Sequence, residues 1–271
     1  MLTEKFPIYA DGTLEATLYT YIQDKGKNMM MDKRPLILMC PGGGYNSTTD
    51  REAEPIAVRF LAQGFHVAIL RYSCKPAVFP TALLELAKSM ELIHQYADEW
   101  RVEEDKIFLF GGSAGGHLAA CLGCFWHTDW LSEKSGVKNE LLKPAGMVLA
   151  YPVISSGPNA HQGSFINLMQ GQESDELRNL LSLDMQVTEH TPEAFIWATA
   201  EDASVPVENS FMFAMALHKH NIPVEMHIYP HGIHGLATAD KFSQFADGRG
   251  IQDECTSWIP LAARWLKDRA W

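Results

Sequence analysis

The segment Gly111-Gly112-Ser113-Ala114-Gly115 sets a serine among small neighbours. An apolar run, Lys106-Ile107-Phe108-Leu109-Phe110, precedes it, and a helical pattern begins at Ala114. A strand that turns sharply into a helix lifts the residue at the turn above the sheet edge. The residues two positions away must then be small, because the strand and helix backbones nearly touch. Glycine at 111 and 115 meets that demand. The serine hydroxyl would also stand at a helix N-terminus, where the dipole favours developing negative charge. This is a placement for a nucleophile in acyl transfer; the plainer alternative is a glycine-rich turn with an inert serine.

Two further segments carry matching chemistry. Pro41-Gly42-Gly43-Gly44-Tyr45 follows the apolar run at 34–40. Consecutive glycines let backbone N–H groups face a ligand instead of a strand ladder. Donors aimed at a tetrahedral oxyanion contribute about 3–4 kcal/mol each. Tyr229-Pro230-His231-Gly232-Ile233-His234-Gly235 offers two histidines after the last strand pattern, and Glu201-Asp202 offers two carboxylates after the one before. A neutral imidazole can take the serine proton while a carboxylate fixes its tautomer. Spacing alone chooses neither between His231 and His234 nor between Glu201 and Asp202. His117, one helical turn past Ser113, reads as a packing residue. Cys121 and Cys124 fall inside an apolar helical stretch and read as core. No His, Asp or Glu set shows ligand spacing on one helix face, so neither metal nor cofactor is expected.

These segments need a frame that brings them together. Short apolar runs at 34–40, 65–70, 106–110, 147–151, 194–198 and 224–229 alternate with amphipathic stretches at 52–63, 82–100, 114 onward, 206–221 and 258–271. Continuous apolar strands separated by helices indicate a mostly parallel sheet covered on both faces. Residues 14–23 alternate in polarity and suit an exposed antiparallel edge. The stretch 155–192 has no clear strand and carries Gly157-Pro158, Gly163 and Gly171, which suits a small cap over the carboxyl ends of the strands.

With 271 residues, 46% of them hydrophobic, and no linker or repeat, one domain spanning 1–271 is expected. A formal charge of −11 argues against nucleic acid and anionic membranes as partners. No apolar run approaches the roughly 20 residues needed to cross a bilayer. The first residues lack a secretory pattern, and the five cysteines are scattered and odd in number, so a cytoplasmic protein without disulfides is expected.

Taken in order, Pro41–Tyr45, Gly111–His117, Asp202-Ala203-Ser204-Val205-Pro206-Val207-Glu208-Asn209-Ser210 and Tyr229–Gly235 resemble small bacterial α/β-hydrolase esterases of the acetyl esterase and acetylxylan-esterase-like branch. The resemblance runs from about residue 30 to the C-terminus and implies an α/β-hydrolase fold. It implies Ser113 as nucleophile, Asp202 as acid and His234 as base, with oxyanion donors from Gly43, Gly44 and Ala114. Relatives of the hormone-sensitive-lipase type carry HGGG where this chain has Pro41, so the histidine that braces their loop is missing. The expected substrate is a small short-chain acyl ester, such as an O-acetylated sugar or oligosaccharide. A prolyl-oligopeptidase-like peptidase would use the same residue order but normally adds a gating domain. A non-catalytic binding module would normally lack a triad member.

Overall fold

In a computed structural model, residues 1–10 and 16–271 are described. Eight strands form one sheet: β1 (Leu2–Ile8), β2 (Ala16–Ile22), β3 (Arg34–Cys40), β4 (His66–Arg71), β5 (Val102–Gly112), β6 (Met147–Ala150), β7 (Ala194–Thr199) and β8 (Val224–Tyr229). Their order is β1-β2-β4-β3-β5-β6-β7-β8. The pairs from β4 through β8 are parallel, whereas β1–β2 and β2–β4 are antiparallel.

Both faces of the parallel part are buried, which is why its strands are continuously apolar instead of alternating. Leu36, Leu38 and Cys40 enter one core with the helices Thr81–Gln95, Ser113–Phe125 and Glu208–Lys219. Ile37 and Met39 enter the other with Glu54–Leu61 and Trp258–Ala270. On that second face Trp258 stacks against Trp197 (ring centroids 5.0 Å apart) and Phe110 (6.0 Å).

The antiparallel edge differs from expectation. Residues 16–22 do pair antiparallel, but alternate side chains of β2 are buried, and the exposed edge is β1. The sequence Leu2-Thr3-Glu4-Lys5-Phe6-Pro7-Ile8 buries little, so it gave no apolar signal. Residues 14 and 15 of the expected edge lie outside the described residues. Two helices also begin or break differently. Residues 50–52 form a 3-10 turn before the helix Glu54–Leu61, and the stretch 82–100 is interrupted at Tyr96. The segment 155–192 holds the helices Gln162–Met169 and Asp175–Leu180.

What matters for chemistry is register. Cys40 lies beside Gly111, Gly112 beside Ala150, and Ala150 beside Trp197, so β3, β5, β6 and β7 end at one level. Thr199 beside Tyr229 brings the end of β8 close by. The loops after these five strands therefore open on the same edge, as ligand sites of parallel sheets do.

Candidate active site

Ser113 follows β5 directly and takes φ = 52°, a left-handed conformation that costs a non-glycine residue about 1–3 kcal/mol. The turn is tight enough that a Cβ added to Gly115 would sit 1.9 Å from the Cys40 carbonyl oxygen. This close approach is the physical reason for glycine at that position. The Ser113 hydroxyl donates to His234 Nε2 at 2.8 Å, and His234 Nδ1–H donates to Asp202 Oδ2 at 2.6 Å. Asp202 is buried, and its Oδ1 accepts from the backbone N–H groups of Ser204 and Val205, each at 2.9 Å. The Asp-x-x-Val-Pro segment thus anchors its own carboxylate. Asn209 further along holds the start of segment 155–192, its Oδ1 accepting from Ile154 and Ser155 N–H at 3.0 Å each.

The other pair proposed by sequence is also formed, but separately. His231 Nδ1–H donates to Glu201 Oε1 at 2.9 Å on the exposed surface. Its hydrogen bond to Glu201 raises the His231 pKa. The loop distributes its histidines between two acids, and only His234 reaches Ser113.

The glycine loop lies beside the serine. Gly43 and Gly44 both have positive φ, 138° and 65°, and among the described residues their N–H groups have no hydrogen-bond partner. Ala114 N–H belongs to the first turn of the helix Ser113–Phe125, where no intrahelical acceptor exists. All three donors suit an anionic oxygen on a carbon attacked by Ser113.

In place of the missing histidine brace, several groups hold this loop. Tyr72 Oη–H donates to Pro41 O at 2.8 Å, and Asn167 Nδ2–H donates to Gly44 O at 2.9 Å. Gly42 N–H donates to Glu52 Oε2 at 2.7 Å. His117 has the packing position expected of it: buried, it gives Nε2–H to Leu181 O and accepts Tyr45 Oη–H on Nδ1, both at 2.9 Å. Burial pushes its pKa down to about 4, so it stays neutral. Cys121 and Cys124 are buried on the same helix, and burial raises the Cys124 thiol to about 12.

Sequence reading missed four groups around the cleft. Glu52 was placed in a helix, yet it is buried under the glycine loop. Tyr151 was taken as a strand residue; its hydroxyl contacts Glu52, and its ring meets His234 edge-on at 5.1 Å. His161 and Asn167 come from segment 155–192 and line, with Ser113 and His234, a cleft of about 400 Å³. Both lie in a stretch without periodicity, so nothing in the sequence aimed them. His161 Nδ1 lies 3.3 Å from Ser164 N–H and 2.8 Å from Ser164 Oγ. A ring nitrogen that accepts an N–H carries no proton, which leaves Nε2–H as the donor of this ring. Burial, then the neighbouring His234, lowers the His161 pKa and keeps that neutral form.

Among the described residues, no cluster of three or more His, Cys, Asp or Glu could hold a metal, and no helix is long and apolar enough to cross a membrane.

Comparison with known proteins agrees with this architecture. The chain is 33% identical over 223 residues to endo-1,4-beta-xylanase B of Butyrivibrio fibrisolvens, covering 80% of this chain and 35% of that one. It spans less than half the length of the curated relatives it matches. The crystal structure of an acetyl ester-xyloside bifunctional hydrolase from Caldicellulosiruptor lactoaceticus superposes with a TM-score of 0.83 at 31% identity, covering 98% of this chain and 96% of that one. The carboxylesterase Cest-2923 of Lactobacillus plantarum WCFS1 superposes with a TM-score of 0.87 at 28% identity, covering 99% and 98%. These neighbours share the α/β-hydrolase fold expected from the motifs. The BD-FAE family model matches residues 25–217, and the chain belongs to that family.

Proposed function

We propose that the protein is a serine carboxylic-ester hydrolase that removes short acyl groups, acetyl foremost, from sugars or oligosaccharides. The observation that carries this reading is the continuous relay from Asp202 through His234 to Ser113, closing beside unpaired N–H groups of Gly43 and Gly44.

In the first half-reaction Ser113 Oγ attacks the acyl carbon while its proton passes to His234 Nε2. Asp202 stabilises the imidazolium that forms. The carbonyl oxygen becomes an oxyanion facing the N–H groups of Gly43, Gly44 and Ala114. Collapse breaks the ester C–O bond, and His234 returns the proton to the departing alcohol. Water then attacks the acyl-enzyme, giving its proton to His234. A second collapse frees the carboxylic acid and restores Ser113. No step calls for a metal or cofactor.

The cleft argues for the alcohol side. Asn46, His161, Asn167 and Ser204 line it beside Arg51 and Phe245, and these polar side chains support an alcohol that carries hydroxyl groups. The Nε2–H of His161 suits a hydroxyl or ring oxygen of the leaving alcohol. Glycoside cleavage would need two carboxylates flanking the bond. Among the described residues the cleft lining carries one, Glu52, and it is already engaged with Gly42 and Tyr151.

The test is a p-nitrophenyl ester series run beside an acetylated xylo-oligosaccharide, with wild type and Ser113→Ala. Acetate should be cleaved fastest, rates should fall with acyl length, and acetic acid should be released from the saccharide. Ser113→Ala should lower kcat by roughly 10⁵–10⁶-fold. Unchanged hydrolysis by Ser113→Ala would overturn the reading.

A further inference from the structure

The proposed reaction uses the Asp202–His234–Ser113 relay and the N–H groups, and leaves two buried glutamates without a part: Glu85, bonded to Ser73, and Glu52, which lies against the site. Glu52 is 3% exposed. Its Oε2 accepts from Gly42 N–H at 2.7 Å, and its Oε1 accepts from Tyr151 Oη–H at 3.1 Å. Tyr151 Oη in turn accepts Ala237 N–H at 2.9 Å. Ala237 stands three residues past His234 and has φ = 54°. Its carbonyl receives Trp258 Nε1–H at 2.8 Å, which ties that point to the stacked core below. The carboxylate also presses on the serine turn: a Cβ on Gly112 would lie 2.3 Å from Glu52 Oε2.

These contacts touch the glycine loop, the turn before Ser113 and the chain that follows His234. From this geometry we infer that Glu52 and Tyr151 form a buried clamp that sets the oxyanion donors and the base in register with Ser113. Both are positioning residues: neither touches the reacting atoms, and each acts through the backbone it holds. Glu52 takes the N–H of Gly42, so the loop turns with Gly43 and Gly44 N–H free to face the ester. Tyr151 holds the other side, and its ring lies against His234 at 5.1 Å. Its hydroxyl remains a donor, since burial and the Glu52 charge raise its pKa well above the ordinary value. A fixed negative charge near an oxyanion opposes catalysis by itself, so the part played by Glu52 is geometric. An uncharged acceptor of the same shape should therefore replace it better than alanine.

This inference rests on the esterase reading, and the variants separate the two. Steady-state kinetics on p-nitrophenyl acetate would be measured for Tyr151→Phe, Glu52→Ala, Glu52→Gln and Ser113→Ala, with phenylboronic acid as a tetrahedral mimic. Tyr151→Phe keeps the ring and loses both hydrogen bonds. It should lower kcat about 10–100-fold with KM within about 2-fold, because donors displaced by even 1 Å lose transition-state contacts. Boronate affinity should fall alongside kcat. Glu52→Ala should lose more, and Glu52→Gln should recover part of that loss. A purely structural role would lower the melting temperature while leaving kcat and boronate affinity of the folded protein intact. That result in Tyr151→Phe overturns the clamp even where Glu52→Ala fails to fold. If Ser113→Ala is inactive and the clamp variants behave as wild type, the clamp fails and the esterase stands. If Ser113→Ala stays active, both fall.

Discussion

Two histidine–carboxylate pairs stand on the same two loops, His234 with Asp202 and His231 with Glu201, and their hydrogen bonds are nearly alike at 2.6 and 2.9 Å. Their surroundings are not. The Asp202 side chain is 0% exposed and that of His234 21%, whereas Glu201 and His231 are 59% and 60% exposed. Asp202 is held by two backbone N–H groups, and His234 has a serine at its far nitrogen. The outer pair ends in solvent. An acid beside an imidazole is thus not a catalytic unit by itself. In the mechanism proposed above it becomes one when the acid is buried and fixed, so that the ring has one tautomer and one direction.

The largest predicted break in this contrast is at the inner pair. Asp202→Asn should lower kcat on p-nitrophenyl acetate by about 10⁴-fold, because an amide at Nδ1 favours the wrong imidazole tautomer. The matching Glu201→Gln on the outer pair should leave kcat within about 2-fold, since charges in solvent couple weakly. Equal losses at both acids would erase the distinction.

A smaller effect is expected at the alcohol side. His161→Ala should raise KM for an acetylated xylo-oligosaccharide about 5–10-fold, the worth of one hydrogen bond, while p-nitrophenyl acetate kinetics change little. An equal rise for both substrates would remove His161 from alcohol recognition.

The outer pair should also make stability depend on pH. His231, raised by Glu201, stabilises the fold while it is protonated. That contribution is complete below the unfolded pKa of about 6.5 and disappears as pH rises through the higher folded value. Denaturation midpoints of wild type and His231→Ala should therefore converge with rising pH. In contrast, His66 and His117 are buried with pKa values near 4. They add stability above about pH 6.5 that is lost as pH falls toward 4. His66→Gln should flatten this acid limb in urea titrations, an effect smaller than any on catalysis.

The same contrast marks what could be read from sequence. Parallel strands buried on both faces write themselves as apolar runs, so 34–40, 106–110 and 194–198 lie close to their observed positions. The tight serine turn writes itself in glycine at 111 and 115. Edge strand β1 left no such trace, because a strand half in water needs few apolar residues. His231 and His234 carry identical local chemistry, and burial, a property of the fold, distinguishes them. Glu52 was invisible for the opposite reason. An acid that opens an amphipathic stretch suits a helix start, and only the packing of five strand ends shows it facing inward.

The most direct test of the central claim is covalent trapping. A fluorophosphonate would be reacted with wild type, His231→Ala and His234→Ala, and the adduct followed by intact mass and located by peptide mapping. The account predicts one adduct on Ser113, formed at the same rate in wild type and His231→Ala and slowed by about 10³-fold or more in His234→Ala. An adduct on another residue, or loss of labelling in His231→Ala with His234→Ala unaffected, would contradict it.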